Sequence, residues 1–514
     1  MKSKLFTILI IVTFFCLGLN SGGYTMADGS NEAKPGKTAE KPVTPAVNEA
    51  ELSKLSVTHH SIVVDKKSLN YQAAAGYMLM KDDSGKHQAS IFFIAYTREG
   101  TTDFQKRPIT FAFNGGPGAA ACWIHMGGLG PKRVKLSAEG FPLPQPFGYT
   151  DNEYTWLTFT DLVFIDPVST GYSRPAPGVD KKQFHGVEED IKSVGDFIRL
   201  YITKNNRWLS PKYICGESYG TTRAAGLSQY LQDNCSMFLQ GVVLISGVLH
   251  YQNHWFTPGN DFPPVLFLPA YTATAWYHRK LPEKYQKDLH STLKEVEEWA
   301  LGEYLTALAR GDKLTKDERN DIIEKLAQYT GLSRQYIDHT NLRIEIFRFT
   351  RELLRDKKQV VGRLDSRFTH ETLDAAGEFF EEDPSFKISG PFGAVINHYI
   401  RNDLKYVNDI PYRPLTYEVR PWNWGRGNQF INTAEALRQA MEMNKYLKVM
   451  IASGYYDLAT PYFATVYTFA HIGLPKSMTE NIVMKYYEAG HMMYIHDPSI
   501  KKLRDDAREF YANW

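Results

Sequence analysis

Three features of the sequence predict an α/β fold: a mostly parallel central sheet, helices on both faces, and a largely helical insertion. From about residue 160 to 250, short apolar runs alternate with helical patterns, the signature of parallel strands joined by helices. Between about 250 and 430 that rhythm gives way to charged helical sequence. Two strand-like runs, Leu447–Ser453 and Ile482–Tyr487, then restore it. The expected organisation is an export signal over 1–27, a disordered linker over 28–54, and a first core part over 55–249. The insertion follows over 250–430, and a second core part over 431–514.

Each element has its own reason. Lys2 and Lys4 precede a 15-residue apolar run, Leu5–Leu19. Spanning a bilayer takes ~20 residues, so the run reads as a cleaved signal rather than an anchor. Thr25-Met26-Ala27 offers small residues at the cleavage offsets. The stretch that follows is rich in Lys and Pro and has too few apolar groups to offset the entropy of ordering. The runs "HSIVV", "AGYMLM", "SIFFIAY" and "PITFAF" suggest an antiparallel start to the sheet. "DLVFID" (Asp161–Asp166) reads as a buried strand. Val187, Ile191, Val194, Ile198 and Tyr201 form one helical stripe. "KYIC" and "GVVLISG" supply two further strands around another helix. Within the insertion, Thr315 with Glu318 forms a capping box, and Gly331 stops that helix.

Composition narrows the function. At 514 residues, 43% hydrophobic and 23% charged, the chain is globular, and a net charge of +2 argues against a nucleic-acid partner. Once the signal is removed, Cys122, Cys215 and Cys235 remain, which is no disulfide framework, and no Cys-x-x-Cys occurs. His59-His60 lacks metal-ligand spacing and there is no His-Glu-x-x-His, so neither metal nor cofactor is predicted.

The chemistry centres on "KYICGESYGTTRAA", where Gly216-Glu217-Ser218-Tyr219-Gly220 lies between a strand and a helix. A serine there can be a nucleophile on a sharp turn, provided a base and an orienting carboxylate follow it past later strands. "IASGYYDLATP" supplies Asp457 after the first late strand, and "YYEAGHMMYIH" supplies His491 after the second. Singly, each residue is as ordinary as a turn aspartate or a surface histidine. The shared order and strand-end placement predict a Ser218–His491–Asp457 triad. The fourth element is "FAFNGGPGAAACW", whose glycines let backbone amides approach a substrate closely. The amides of Gly116 and Tyr219 are the expected oxyanion donors.

Asn-Gly-Gly-Pro-Gly, Gly-Glu-Ser-Tyr-Gly, an Asp followed four residues on by Pro461, and Gly-His-Met together resemble the serine carboxypeptidase family. "YTWLTFTDLVFIDPVSTGYS" adds to the likeness, which spans about 110 to 495. The resemblance implies an α/β-hydrolase fold in a divergent, bacterial-type member. It also implies release of C-terminal residues from peptides, with Asn114 and Glu217 binding the substrate's free carboxylate. The sequence departs from the family at specific positions. Ala112 stands where the family has Trp, Gly128 where it has a second Glu, and Ala119 where it has Cys. Gly454-Tyr455-Tyr456-Asp457 replaces Gly-Asp-x-Asp.

The sequence therefore predicts an exported serine carboxypeptidase acting on peptides, with no stable membrane insertion after signal cleavage. The alternative is an esterase or acyltransferase with the same triad. The insertion is expected to choose the substrate without entering the chemistry.

Overall fold

The computed structural model describes residues 49–378, 383–425 and 427–512. The expected signal segment and most of the expected linker lie outside the described residues. Within the last part of the expected linker, Glu49–Leu52 forms one helical turn, and Glu49 pairs with Lys81 at 2.7 Å.

The sheet opens with Ser56–Val64 (β1), Lys67–Lys81 (β2) and His87–Arg98 (β3), paired antiparallel. Ile109–Phe113 (β4), Asp161–Ile165 (β5), Lys212–Glu217 (β6), Gly241–Ile245 (β7), Lys448–Gly454 (β8) and Ile482–Tyr487 (β9) follow in sequence. Their spatial order is β1-β2-β3-β5-β4-β6-β7-β8-β9, and Arg174–Pro175 pairs with β3 as a tenth strand. The antiparallel start is therefore three strands long. The fourth run of that series, β4, lies inside the sheet, parallel to β5 on one side and β6 on the other. Residues of β4, β5 and β7 are buried throughout, as strands covered on both faces must be. Their apolar residues run continuously, so no alternation in the sequence distinguishes a parallel β4 from an antiparallel one.

Side chains of one strand feed two cores because successive residues point to opposite faces. Val242 and Leu244 of β7 meet Val194 and Ile198 of helix α1 (Val187–Lys204) and Leu227 and Leu231 of α2 (Tyr219–Cys235). Val243 and Ile245 face the opposite core, which takes in the helices Ser389–Asn402 and Asp497–Ala512 through Phe392, Tyr399, Leu503 and Phe510. A third core belongs to the helices between β7 and β8. It gathers Leu266, Tyr271, Val296, Leu326, Tyr329 and Phe349 and packs them on Tyr456, Leu458 and Tyr462, just past β8. The Thr315–Glu318 capping box forms as expected, and Gly331 closes that helix at φ 70°. Cys122, Cys215 and Cys235 are free. Among the described residues no helix is long and apolar enough to cross a membrane.

A buried charge cluster anchors the entry to β5. Asp161, 2% exposed, accepts from Arg107 Nε at 3.0 Å, Arg207 Nη1 at 2.7 Å and the Arg98 amide at 3.0 Å. Asp161→Asn removes the charge but leaves two buried guanidiniums, so it should destabilise the fold by about 3–5 kcal/mol in denaturant titration.

Candidate active site

Ser218 lies between β6 and α2 at φ 59°, ψ −131°, a backbone conformation that L-residues avoid. Glycine is required around it because the backbones pack without room for side chains. A Cβ on Gly216 would meet the Gly220 carbonyl oxygen at 2.2 Å. One on Gly115 would meet the amide nitrogens of Tyr219 and Gly220 at 2.4 Å. The Ser218 amide donates to the Ile245 carbonyl at 3.0 Å, tying the turn to the end of β7. Gly116 and Gly118 take φ of 98° and 106°, and their loop lies against the start of α2. Among the described residues, the amides of Gly116 and Tyr219 donate to no other group.

Asp457 and His491 follow β8 and β9 and are 0% and 3% exposed. His491 Nδ1 lies 2.7 Å from Asp457 Oδ2, which also accepts from Thr460 Oγ1 at 2.7 Å. The other carboxylate oxygen takes the amides of Ala459 and Thr460 at 2.8 and 3.0 Å. A neutral imidazole donating Nδ1–H to Asp457 presents Nε2 as an acceptor, the tautomer a general base needs. Burial opposes protonation of His491, but the charge and hydrogen bond of Asp457, helped by Glu217, raise its proton affinity above the usual 6.5. Ser218 and His491 line one cavity of about 240 Å³, together with Asn114, Gly116 and Glu217. The described hydrogen bonds do not include one from Ser218 to His491. Such contacts often close only when substrate binds.

Glu217 is fully enclosed. Its Oε2 accepts from Asn114 Nδ2 at 2.7 Å and from the Tyr494 hydroxyl at 2.5 Å, while Oε1 lies 3.9 Å from His491 Nε2. Burial pushes its carboxyl up to about 7, against the opposing effects of His491, Tyr494 and Asn114. Because Oε2 already takes two donors, a proton on Glu217 belongs on Oε1, facing the cavity. Asn114 is held in orientation by the Ile124 amide, which donates to Oδ1 at 3.0 Å.

Five of the seven expected site residues therefore line one cavity, Asp457 stands behind His491, and Tyr219 does not line it, its hydroxyl donating to Asp190 at 3.1 Å. Tyr494 was not singled out in the sequence, although it follows His491 by three residues. Its ring fills the space over Gly127 and Gly128, where a Cβ on Gly128 would come within 2.5 Å of Tyr494 Cβ. A buried pair behind the site was likewise missed. Arg223 bonds Asp190 at 2.8 Å and the Asn114 carbonyl at 2.8 Å, and Tyr219 donates to the same Asp190 oxygen.

The segment Gly362–Phe368, within the expected insertion, reaches the loops that carry Asp457 and His491. The His491 amide donates to the Leu364 carbonyl at 2.7 Å and the Leu458 amide to the Arg363 carbonyl at 3.0 Å. The Ser366 amide donates to Tyr456, and that of Gly490 to Asp365 Oδ2 at 3.2 Å. Backbone from the 250–430 region thus joins the two loops that carry Asp457 and His491.

Comparison with known proteins agrees with this geometry. The family model described as serine carboxypeptidase matches residues 64–496. The lysosomal protective protein of Mus musculus is 26% identical over 196 residues, 37% of this chain and 36% of that protein. A carboxypeptidase Y homolog of Arthroderma benhamiae is 29% identical over 161 residues, 30% of this chain and 29% of that one. The aligned parts cover about a third of the length of these curated relatives. The crystal structure of Kex1(delta)p, a prohormone-processing carboxypeptidase from Saccharomyces cerevisiae, superposes with a TM-score of 0.55 at 16% identity. It covers 86% of this chain and 91% of that one, a likeness of fold. These relatives are eukaryotic and lend no support to the bacterial-type qualifier.

Tyr494→Phe should raise the proton affinity of Glu217 beyond its value of about 7, because it deletes a donor that favours the carboxylate. Infrared titration of the buried carboxyl should show its protonated band persisting to higher pH. A band that disappears at the same or lower pH would mean Tyr494 does not tune this group.

Proposed function

This chain belongs to the serine carboxypeptidase family, and we propose that it is an exported enzyme releasing C-terminal residues from peptides through a covalent acyl-enzyme. Ser218 Oγ attacks the carbonyl of the last peptide bond while His491 Nε2 takes its proton. His491 then delivers that proton to the departing amine, and Asp457 holds the imidazole and stabilises its cation. The Gly116 and Tyr219 amides receive the developing oxyanion, and donors of this kind contribute about 3–4 kcal/mol each. Water enters by the same route and frees the acyl group. Nothing in this sequence of steps calls for a cofactor.

One observation carries the reading: Ser218, a His491 oriented by Asp457 at 2.7 Å, and the Asn114–Glu217 pair meet at one cavity. Glu217 and Asn114 are assigned to the substrate's terminal carboxylate. Two carboxylates repel unless one is protonated, and a Glu217 raised to about 7 carries that proton on the acidic side of neutrality. The helices of the 250–430 region are assigned to substrate choice, and the apolar N-terminal run to export.

The second reading, an esterase or acyltransferase, is favoured by Gly128, covered by Tyr494, which leaves no carboxyl at the family's second Glu position, and by Ala112, which leaves no Trp at the other. Matched free-acid and amidated peptides separate the two readings.

Ser218→Ala should reduce turnover by at least ~10³-fold with little change in substrate affinity, and should abolish labelling by a fluorophosphonate. Retention of more than a few per cent of activity would exclude Ser218 as nucleophile. Glu217→Gln supplies a permanent donor. It should flatten the rise in Michaelis constant that free-acid peptides show as pH passes through about 7. An unchanged profile would remove Glu217 from carboxylate binding.

A further inference from the structure

We propose that Arg363 is the cationic anchor for the α-carboxylate of the departing residue, so that terminus recognition in this chain rests on a guanidinium as well as on Glu217. The inference rests on the carboxypeptidase reading above. Its starting point is the short length of an amino acid. The amine released from the scissile bond must lie beside His491 Nε2, which protonates it. Bond lengths then place the carboxylate oxygens of that residue roughly 2.5–3.5 Å from the amine. Whatever binds the carboxylate must adjoin His491.

Arg363 meets that condition. It lines the cavity that holds Ser218, His491, Asn114 and Glu217. Its backbone is fixed from both sides: its carbonyl accepts from Leu458, next to Asp457, and its amide donates to the Asp383 carboxylate at 3.1 Å. The following residue, Leu364, holds the His491 amide. The Arg363 charge also acts on His491, disfavouring its protonated form. Among the described residues the Arg363 guanidinium makes no ion pair or hydrogen bond, in contrast to its neighbour Arg367, which is spent on Asp365 at 2.7 Å.

The other charged and titratable groups around the cavity do not fill this role. Asp383 is occupied by the amides of Arg363, Leu364 and Ser385. Asp457 is engaged by His491 and Thr460. Tyr494 is committed to Glu217. Arg420 lines the same cavity, but its guanidinium lies over the Tyr417 ring at 4.6 Å and it also borders a second cavity with Gly116, Pro117, Trp422 and Trp424, whereas the Arg363 backbone is tied directly to the loops of Asp457 and His491. Arginine stays protonated at every working pH and can hold a carboxylate through two parallel hydrogen bonds. It therefore continues to bind the terminus after Glu217 ionises.

The readout is the ratio of kcat/KM for a free-acid peptide to that for its C-terminal amide, measured from pH 5 to 9. In the wild-type protein the preference for the free acid should persist above pH 8. In Arg363→Gln it should fall at least about tenfold there, with Arg363→Lys retaining part of it. Labelling by fluorophosphonate and circular dichroism confirm that each variant is folded with an intact nucleophile. A wild-type preference that vanishes above pH 8 overturns the proposal without any variant, because only a protonated Glu217 would then be reading the terminus. An Arg363→Gln variant that keeps the full ratio overturns it equally. A wild-type ratio near one at every pH removes the carboxypeptidase reading itself, which distinguishes that failure from a failure of Arg363.

Discussion

The contact between two backbones, the Asn114–Gly116 loop and the first turn of α2, is the constraint on which the site depends. Cβ-free positions at Gly115 and Gly216 let the strands' ends and the helix start approach to within van der Waals contact of bare backbone. Ser218 is held at positive φ, a conformation that costs on the order of 1–3 kcal/mol and persists only where its surroundings enforce it. The same contact sets the Gly115 backbone against the amide nitrogens of Tyr219 and Gly220, beside Ser218. It also brings Asn114 to Glu217, while Arg223 clamps the Asn114 carbonyl from behind. The Ser218 turn, the loop at Gly116 and the Asn114–Glu217 pair are thus consequences of one packing decision made by glycines.

Electrostatics then divides the site into a committed half and a shared half. Asp457 takes two amides, a hydroxyl and an imidazole, so its charge is fully solvated by protein groups despite complete burial. Glu217 and His491 sit 3.9 Å apart, each raising the other's charged form when the other is oppositely charged. Each group's charge therefore bears on the other's protonation.

The cavity-side placement of Ser218 and His491, the Asp457 behind them and the helical insertion were legible because each has a local signature. Ser218 has flanking glycines, Asp457 and His491 close apolar runs of strand length, and the Thr315 cap stands three residues before its Glu. What was not legible involved contacts without a sequence pattern. Tyr494 looks like any aromatic in a short helical turn, and its partnership with Glu217 spans 277 positions. Asp190 and Arg223 occupy separate helices whose buried faces read as ordinary amphipathic stripes with one charge out of place. Arg363 and Leu364 reach the Asp457 and His491 loops through backbone carbonyls, which every residue possesses, so composition carries no trace of those two contacts. The placement of β4 inside the sheet was hidden for the same reason: pairing direction is written in tertiary contacts, not in its five buried residues.

The staple formed by Gly362–Phe368 bears on how such a chain can diversify. Its consecutive carbonyls at Arg363 and Leu364 point to two different loops, Leu458 on one side and His491 on the other. Backbone registers of this kind do not tolerate a shift, since one inserted or deleted residue would exchange which loop each carbonyl meets. Length changes can accumulate in the helices before and after it at little entropic cost. The seven-residue staple itself must be inherited whole. The region between β7 and β8 is accordingly not an interchangeable cassette: lineages can lengthen, shorten or recharge its helices freely, provided they leave this one rung of the ladder in step.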